Sequence, residues 1–287
     1  MRLHKLIGLM AALTLMLALT GCATQARAPM SAVRAFAAES AKLGAFAELT
    51  ARYRDTYRRE QPYLSPAADQ AEQAIDLRRR AAYSDFIQIQ RGVVLYMQTL
   101  GQLAGEDAYD LSDRLRTLGG GIKAWPESGL DAQHVSAFTG LARLLARMAT
   151  RTYQQEAVAD MVSEGDAAVQ SLLEAMQVLL RTYDKSNDNE RKIVLGLFEV
   201  ELPFVDTPRE RLLATLAKAH YQSKNTEYGL IARRYSLAEK NLSAIAEGHR
   251  TLARQIGQLN GGQATAALAQ SAAAVRDSRA ALDQLAE

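Results

Sequence analysis

Residues 231–262 read IARRYSLAEKNLSAIAEGHRTLARQIGQLNGG, and apolar side chains recur in them at Ile231, Tyr235, Ala238, Leu242, Ile245, Leu252, Ile256 and Leu259, with His249 on the same line. Alternating steps of three and four hold one face of a helix towards a neighbour over many turns, as in a coiled-coil seam. Gly261-Gly262 stops that helix and permits a tight reversal. The rhythm then resumes at Ala264, Leu268, Ser271, Val275, Ser278 and Leu282. This stretch predicts an antiparallel helical hairpin, with 263–286 lying back along 231–260.

The same period extends upstream. A weak first stripe runs Val33, Phe36, Ser40, Leu43, Ala47 and Thr50, and a stronger one runs Ile75, Ala82, Phe86, Ile89, Val93, Tyr96, Leu100 and Leu103. A third follows Val135, Phe138, Leu141, Leu145 and Met148, continuing as Val162, Gly165, Val169, Leu172, Met176, Leu179 and Tyr183. Prolines at 62, 66, 126, 203 and 208 bound these blocks, because a proline ring breaks a helix interior. Ser65-Pro66 and Thr207-Pro208-Arg209-Glu210 read as helix starts, and Asp131 as the cap of the third block. Breaks are expected at Gly119-Gly120-Gly121 and across Lys185–Asn189, where cap-forming polar residues cluster. At 1.5 Å per residue, a helix over 131–184 would be about 80 Å long. The expected fold is all-α, an elongated antiparallel helical bundle with coiled-coil-like hairpins, a rod in a single domain over 31–287.

Composition fits this reading. The 287 residues are 48% hydrophobic and 23% charged, which excludes a mostly disordered chain. Arg2 and Lys5 are the only formal charges among the first 21 residues, so 32 of the 34 bases follow them, against 32 acids. A neutral body gives no reason to expect a nucleic-acid partner.

The N-terminus carries an address. Arg2, His4 and Lys5 precede an apolar run from Leu6 to Leu19, the pattern of a secretory signal and too short to span a bilayer comfortably. The run ends in Leu19-Thr20-Gly21-Cys22, and Cys22 is the single cysteine, so no intramolecular disulfide claims it. This stretch resembles the lipobox of bacterial lipoproteins. The resemblance implies a signal peptide over 1–21, cleavage before Cys22, and acyl chains on Cys22 that hold the protein at a membrane. With Ala23 in place of an aspartate, it implies the periplasmic face of an outer membrane. Residues 22–30 then form the acylated cysteine and a tether reaching about 25 Å.

No catalytic constellation is legible. The residues three positions before His134, His220 and His249 are Asp131, Ala217 and Ala246, so the Glu-x-x-His of a helical di-iron site is missing. HExxH, GxSxG and GxxxxGK[ST] are also missing, and neither metal, cofactor nor enzymatic activity is expected. His249 on an apolar stripe reads as a hydrogen-bonded core residue, and His134 as a first-turn residue.

Three features could make contacts. Residues 193–205, IVLGLFEVELPFV, form the most apolar segment after the signal, and Phe198, Leu202 and Phe204 are its candidate partner or membrane contacts. Alternation with Glu199, Glu201 and Pro203 fits a strand, a helix end folded over the bundle, or an exposed tip. Arg58, Arg59, Arg78, Arg79 and Arg80 flank the first turn and could meet phosphate or lipid headgroups. Trp125, the single tryptophan, lies in a loop that either plugs the bundle or offers a contact. The expected role is a non-enzymatic binding or scaffold component of an envelope assembly, with an unidentified envelope protein as partner and self-association open. The alternative is a membrane-perturbing or lipid-binding bundle using 193–205.

Overall fold

A computed structural model describes residues 29–105, 115–116, 118–148, 155–205, 207–258 and 262–285. Cys22, the expected signal peptide and most of the expected tether lie outside these residues. Helices make up the regular structure among the described residues: α1 (29–40), α2 (Gly44–Arg54), α3 (Thr56–Glu60), α4 (Pro66–Leu103), α5 (Ala132–Met148), α6 (Gln155–Val205), α7 (Arg211–Gln255) and α8 (Gly262–Gln284). The protein is an all-α bundle. At 1.5 Å per residue the 51 residues of α6 extend about 75 Å, and α7 about 65 Å.

α6 is the mast around which the rest packs. Its stripe from Val158 to Leu180 is buried, including Met161, Val162, Val169, Leu172, Met176 and Leu179. α7 runs antiparallel along nearly its whole length. Gln170 Nε2 donates to the carbonyl of Ala246 at 3.0 Å, Arg181 pairs with Glu239 at 2.6 Å, and Tyr221 Oη donates to Glu199 at 2.9 Å. The α7–α8 hairpin expected from the sequence is present. Asn241 Nδ2 donates to Ser278 Oγ and the Val275 carbonyl, while Gly248 lies against Ser271. Seven positions back along one helix thus match seven forward along the other.

The middle of the mast is closed by aromatic packing. The Tyr183 ring is fully buried, with Tyr53 stacked on it at 4.4 Å and Phe46, Phe86 and Tyr235 at 6.2–6.5 Å. Two capping expectations hold: Ser65 Oγ accepts from Ala68 N at 3.4 Å, and Asp131 Oδ1 accepts from the amides of Gln133 and His134 at 2.9 and 3.1 Å. His249 is fully buried, accepting or donating towards Tyr96 Oη at 2.8 Å and Asp166 at 2.9 Å, so one side chain ties α4, α6 and α7 together.

Several expectations are corrected. The single helix over 131–184 is instead two antiparallel ones: α5 ends at Met148, α6 begins at Gln155, and Arg147 pairs back to Glu164. No break occurs at Lys185–Asn189. The helix continues because Asn187 and Glu190 face inward and Glu190 finds strong partners. Thr207-Pro208-Arg209-Glu210 is a turn rather than a capped helix start, with Glu210 N donating to the Thr207 carbonyl at 3.1 Å, and α7 starts at Arg211 without a side-chain cap. The first block is broken into α1, α2 and α3 at Ala41–Leu43 and Asp55.

Candidate functional site

Among the described residues, large apolar side chains gather uncovered at the end of the rod formed by the α6–α7 hairpin. Beyond Val194 and Leu195, which are buried, the segment 193–205 neither turns into a strand nor folds back; it continues as the last turns of α6. Pro203 lacks an amide proton, and the helix stops two residues later. Val200, Phe204, Leu212, Leu213 and Leu216 are exposed by between 53% (Leu213) and 74% (Phe204 and Leu212), and Leu197 is exposed to a lesser degree. Ala214 is buried between the two helices. A two-helix hairpin has one shared seam, so apolar residues on its outer faces stay in water unless something else covers them.

The root of the tip is braced. Phe198 is half-buried, its ring 5.9 Å from Tyr63, 5.3 Å from His220 and 6.4 Å from Tyr221. Tyr63 Oη lies 2.8 Å from His220 Nε2, linking the short 3-10 turn Gln61–Tyr63 to α7. The hydrogen bond to Glu199 raises the Tyr221 hydroxyl above its ordinary pKa. Of the three expected contact residues in this segment, Phe204 is bare, Leu202 half-buried and Phe198 tied into the brace. Sequence reading missed Leu212, Leu213 and Leu216, although a Leu-Leu pair directly after a proline-containing turn signals an apolar hairpin end.

The arginine clusters do come together at one side of the rod, but most are engaged within the fold. Arg59 sends Nε and Nη2 to the two carboxylate oxygens of Glu190 at 2.8 and 2.7 Å, and Tyr228 Oη donates to the same carboxylate at 3.0 Å. Arg52 approaches it at 3.9 Å. Glu190 is fully buried, and this fork is what carries α6 straight through its polar stretch. Arg79 pairs with Glu72 at 2.8 Å and lies over the Tyr53 ring, while Arg80 pairs with Asp76 at 2.6 Å. Arg59, Arg79 and Arg80 therefore have carboxylate partners within the fold, and Arg58, Arg78 and Arg80 are exposed.

Beside them, a cleft of about 490 Å³ between α3, α4 and α6 is lined by Glu60, Glu72, Arg79, Lys185, Ser186 and Asn189 among others. Burial, and then the neighbouring Glu72 carboxylate, push the Glu60 carboxyl up to about 8. Trp125 is half-buried on the flank of α4, its Nε1 donating to Asp85 at 2.8 Å. Its loop is closed by paired backbone bonds with Leu130, and Gly129 takes a left-handed φ of +82° there. The tryptophan thus packs against the bundle, away from the tip. Among the described residues no cluster of three or more His, Cys, Asp or Glu side chains could hold a metal ion, and no helix is long and apolar enough to cross a membrane.

Among the described residues the tip offers exposed apolar side chains with charged residues flanking them. Its distance from the chain's start is set by register. Phe36 lies against Gly248 and Glu39 meets Arg279, so the beginning of α1 lies level with the Gln255 end of α7. From there to Val205 is about 65 Å at helical rise. No protein-family model, curated protein or solved structure matches the chain.

Proposed function

We propose that this protein is a lipid-anchored envelope lipoprotein that works without catalysis, as a scaffold that holds an apolar hairpin tip away from its membrane. One observation carries the reading: the bare side chains Val200, Phe204, Leu212, Leu213 and Leu216 sit at the end of the rod opposite residue 29, where the chain emerges from the sequence expected to carry the acyl group. A rod rooted in the periplasmic leaflet of an outer membrane through acylated Cys22 would present these residues about 65 Å out. Glu199, Glu201 and Glu210 flank the apolar residues, and burying carboxylates in hydrocarbon is costly, which favours a protein surface over a bilayer interior.

Metabolic labelling with a palmitate analogue tests the anchor. Wild-type protein is expected to take up label and sediment with outer membranes. Cys22→Ser is expected to lose the label and to persist as the uncleaved precursor. Label retained by Cys22→Ser would refute the assignment. Dye release from liposomes by the wild-type protein, abolished by Phe204→Glu, would instead support membrane perturbation.

A further inference from the structure

We propose that the cleft between α3, α4 and α6 is a binding site for a small zwitterion, a dipeptide whose ammonium meets Glu60 and Glu72 on one wall and whose carboxylate meets Lys185 on the other. The site depends on neither the anchor nor the tip.

Unmet hydrogen-bonding groups supply the first reason. Glu60 is buried, and its Oε1 meets no donor among the described residues. The group beside it is a second acid, Glu72, which already has Arg79 Nη1 at 2.8 Å. Arg79 lies over the Tyr53 ring and keeps a buried Nε without an acceptor, and Ser186 Oγ is buried without a partner as well. Buried polar groups left unpaired are costly, and these three side chains line one cavity of about 490 Å³. A single occupant carrying both donors and acceptors satisfies them together.

Charge supplies the second. The acids of the lining, Glu60 and Glu72, come from α3 and α4, whereas its ammonium groups, Lys185 and Lys192, come from α6. No ion pair joins the two sets among the described residues: Glu72 goes to Arg79, Lys192 goes to Asp188 on its own helix at 2.7 Å, and Lys185 is exposed. Opposite charges that face each other across open space complement a ligand bearing both signs. A simple anion would meet the two glutamates, and a simple cation the two lysines.

Size supplies the third. The cavity is in the range of small-molecule sites. A dipeptide spans about 7 Å, close to the separation of about 8–10 Å between packed helices. Its peptide carbonyl supplies the acceptor that Arg79 Nε lacks, and the half-buried Ile75 and Ile193 suit small apolar side chains. The Tyr53 ring is already engaged by Tyr183 at 4.4 Å and by Arg79 at 5.5 Å, which argues against a sugar stacked there.

Binding of this kind carries a proton signature. Burial, then Glu72 on α4 and Glu190 on α6, hold the proton on Glu60 at neutral pH against the opposing charge of Arg79. An ammonium group seated beside Glu60 takes that proton's place, so uptake at pH 7 passes about one proton to the buffer.

The test is titration calorimetry of the purified full-length protein with L-alanyl-L-alanine at pH 7, in two buffers of different ionisation enthalpy. The expected result is one site per chain with release of about one proton, and binding at least about tenfold weaker for the N-acetylated dipeptide and for the dipeptide amide. Glu60→Gln should abolish the proton release and weaken binding about tenfold. Lys185→Ala, at an exposed position, should weaken binding while leaving the proton release and the melting temperature unchanged. No heat of binding up to about 10 mM, equal binding of the blocked dipeptides, unchanged affinity in Lys185→Ala, or proton release that persists in Glu60→Gln would each overturn the proposal. Phosphoethanolamine bound more tightly than the dipeptide would overturn the peptide assignment.

Discussion

Glu190 is the residue on which the straightness of α6 depends. The stretch KSNDNE from Lys185 to Glu190 looks like a place for a chain to turn, yet it is helical because a buried carboxylate there meets Arg59 bidentately and Tyr228 besides. Removing one partner of a buried ion pair leaves the other uncompensated, so Glu190→Ala is expected to cost about 3–5 kcal/mol in urea unfolding. Arg58→Ala, at an exposed neighbour, should stay within about 0.5 kcal/mol. Equal effects would show that the pair is not the support. Glycines give a second contrast. A Cβ on Gly248 would approach Phe36 Cζ at 2.8 Å and Ser271 Cβ at 3.1 Å, whereas one on Gly229 would meet nothing within 4 Å. Gly248→Ala is expected to destabilise by about 1–3 kcal/mol through overpacking. Gly229→Ala, in an exposed helix interior, should gain about 0.5–1 kcal/mol. Thermal unfolding of both variants would read the difference.

At the scale of elements, the pairing of α3 with α4 has a pH dependence of defined sign. Glu60, at the end of α3, has its carboxyl raised to about 8 by burial and by Glu72 on α4, against an ordinary value of 4.5. The folded protein therefore holds this proton more tightly than the unfolded chain, so the associated stability is present below pH 4.5 and is lost as pH rises towards 8. Glu60→Gln, which keeps the shape of the protonated acid, should unfold at the same urea concentration as wild type near pH 5 and at a higher one near pH 8.5. Parallel pH profiles for the two proteins would contradict this. The elements themselves were legible to different degrees. The stripes through Phe86–Leu103, Val162–Tyr183 and Tyr235–Leu252 are all core, because three-four periodicity is a direct record of which side faces neighbours. Ends were less legible: polar clusters at 185–189 and 207–210 carry the same cap-forming residues, yet only the second interrupts a helix.

For the molecule as a whole, the bare tip contributes nothing to the stability of the isolated chain. Phe204→Glu together with Leu216→Glu should leave its unfolding, followed in urea, within about 0.5 kcal/mol of wild type. A large loss of stability would mean that the tip is packed against the protein's own surface. The sequence by itself determined that long amphipathic helices pack side by side and that the last two turn back on each other, because periodicity and turn residues are local properties of the chain. Which arginines are held by carboxylates, that 193–205 prolongs a helix, and that its apolar face joins Leu212, Leu213 and Leu216 at the end of the rod far from residue 29 were decided by tertiary structure. Those facts depend on contacts such as Arg59 with Glu190, 131 positions apart, and on the register of α6 against α7, which no local pattern encodes.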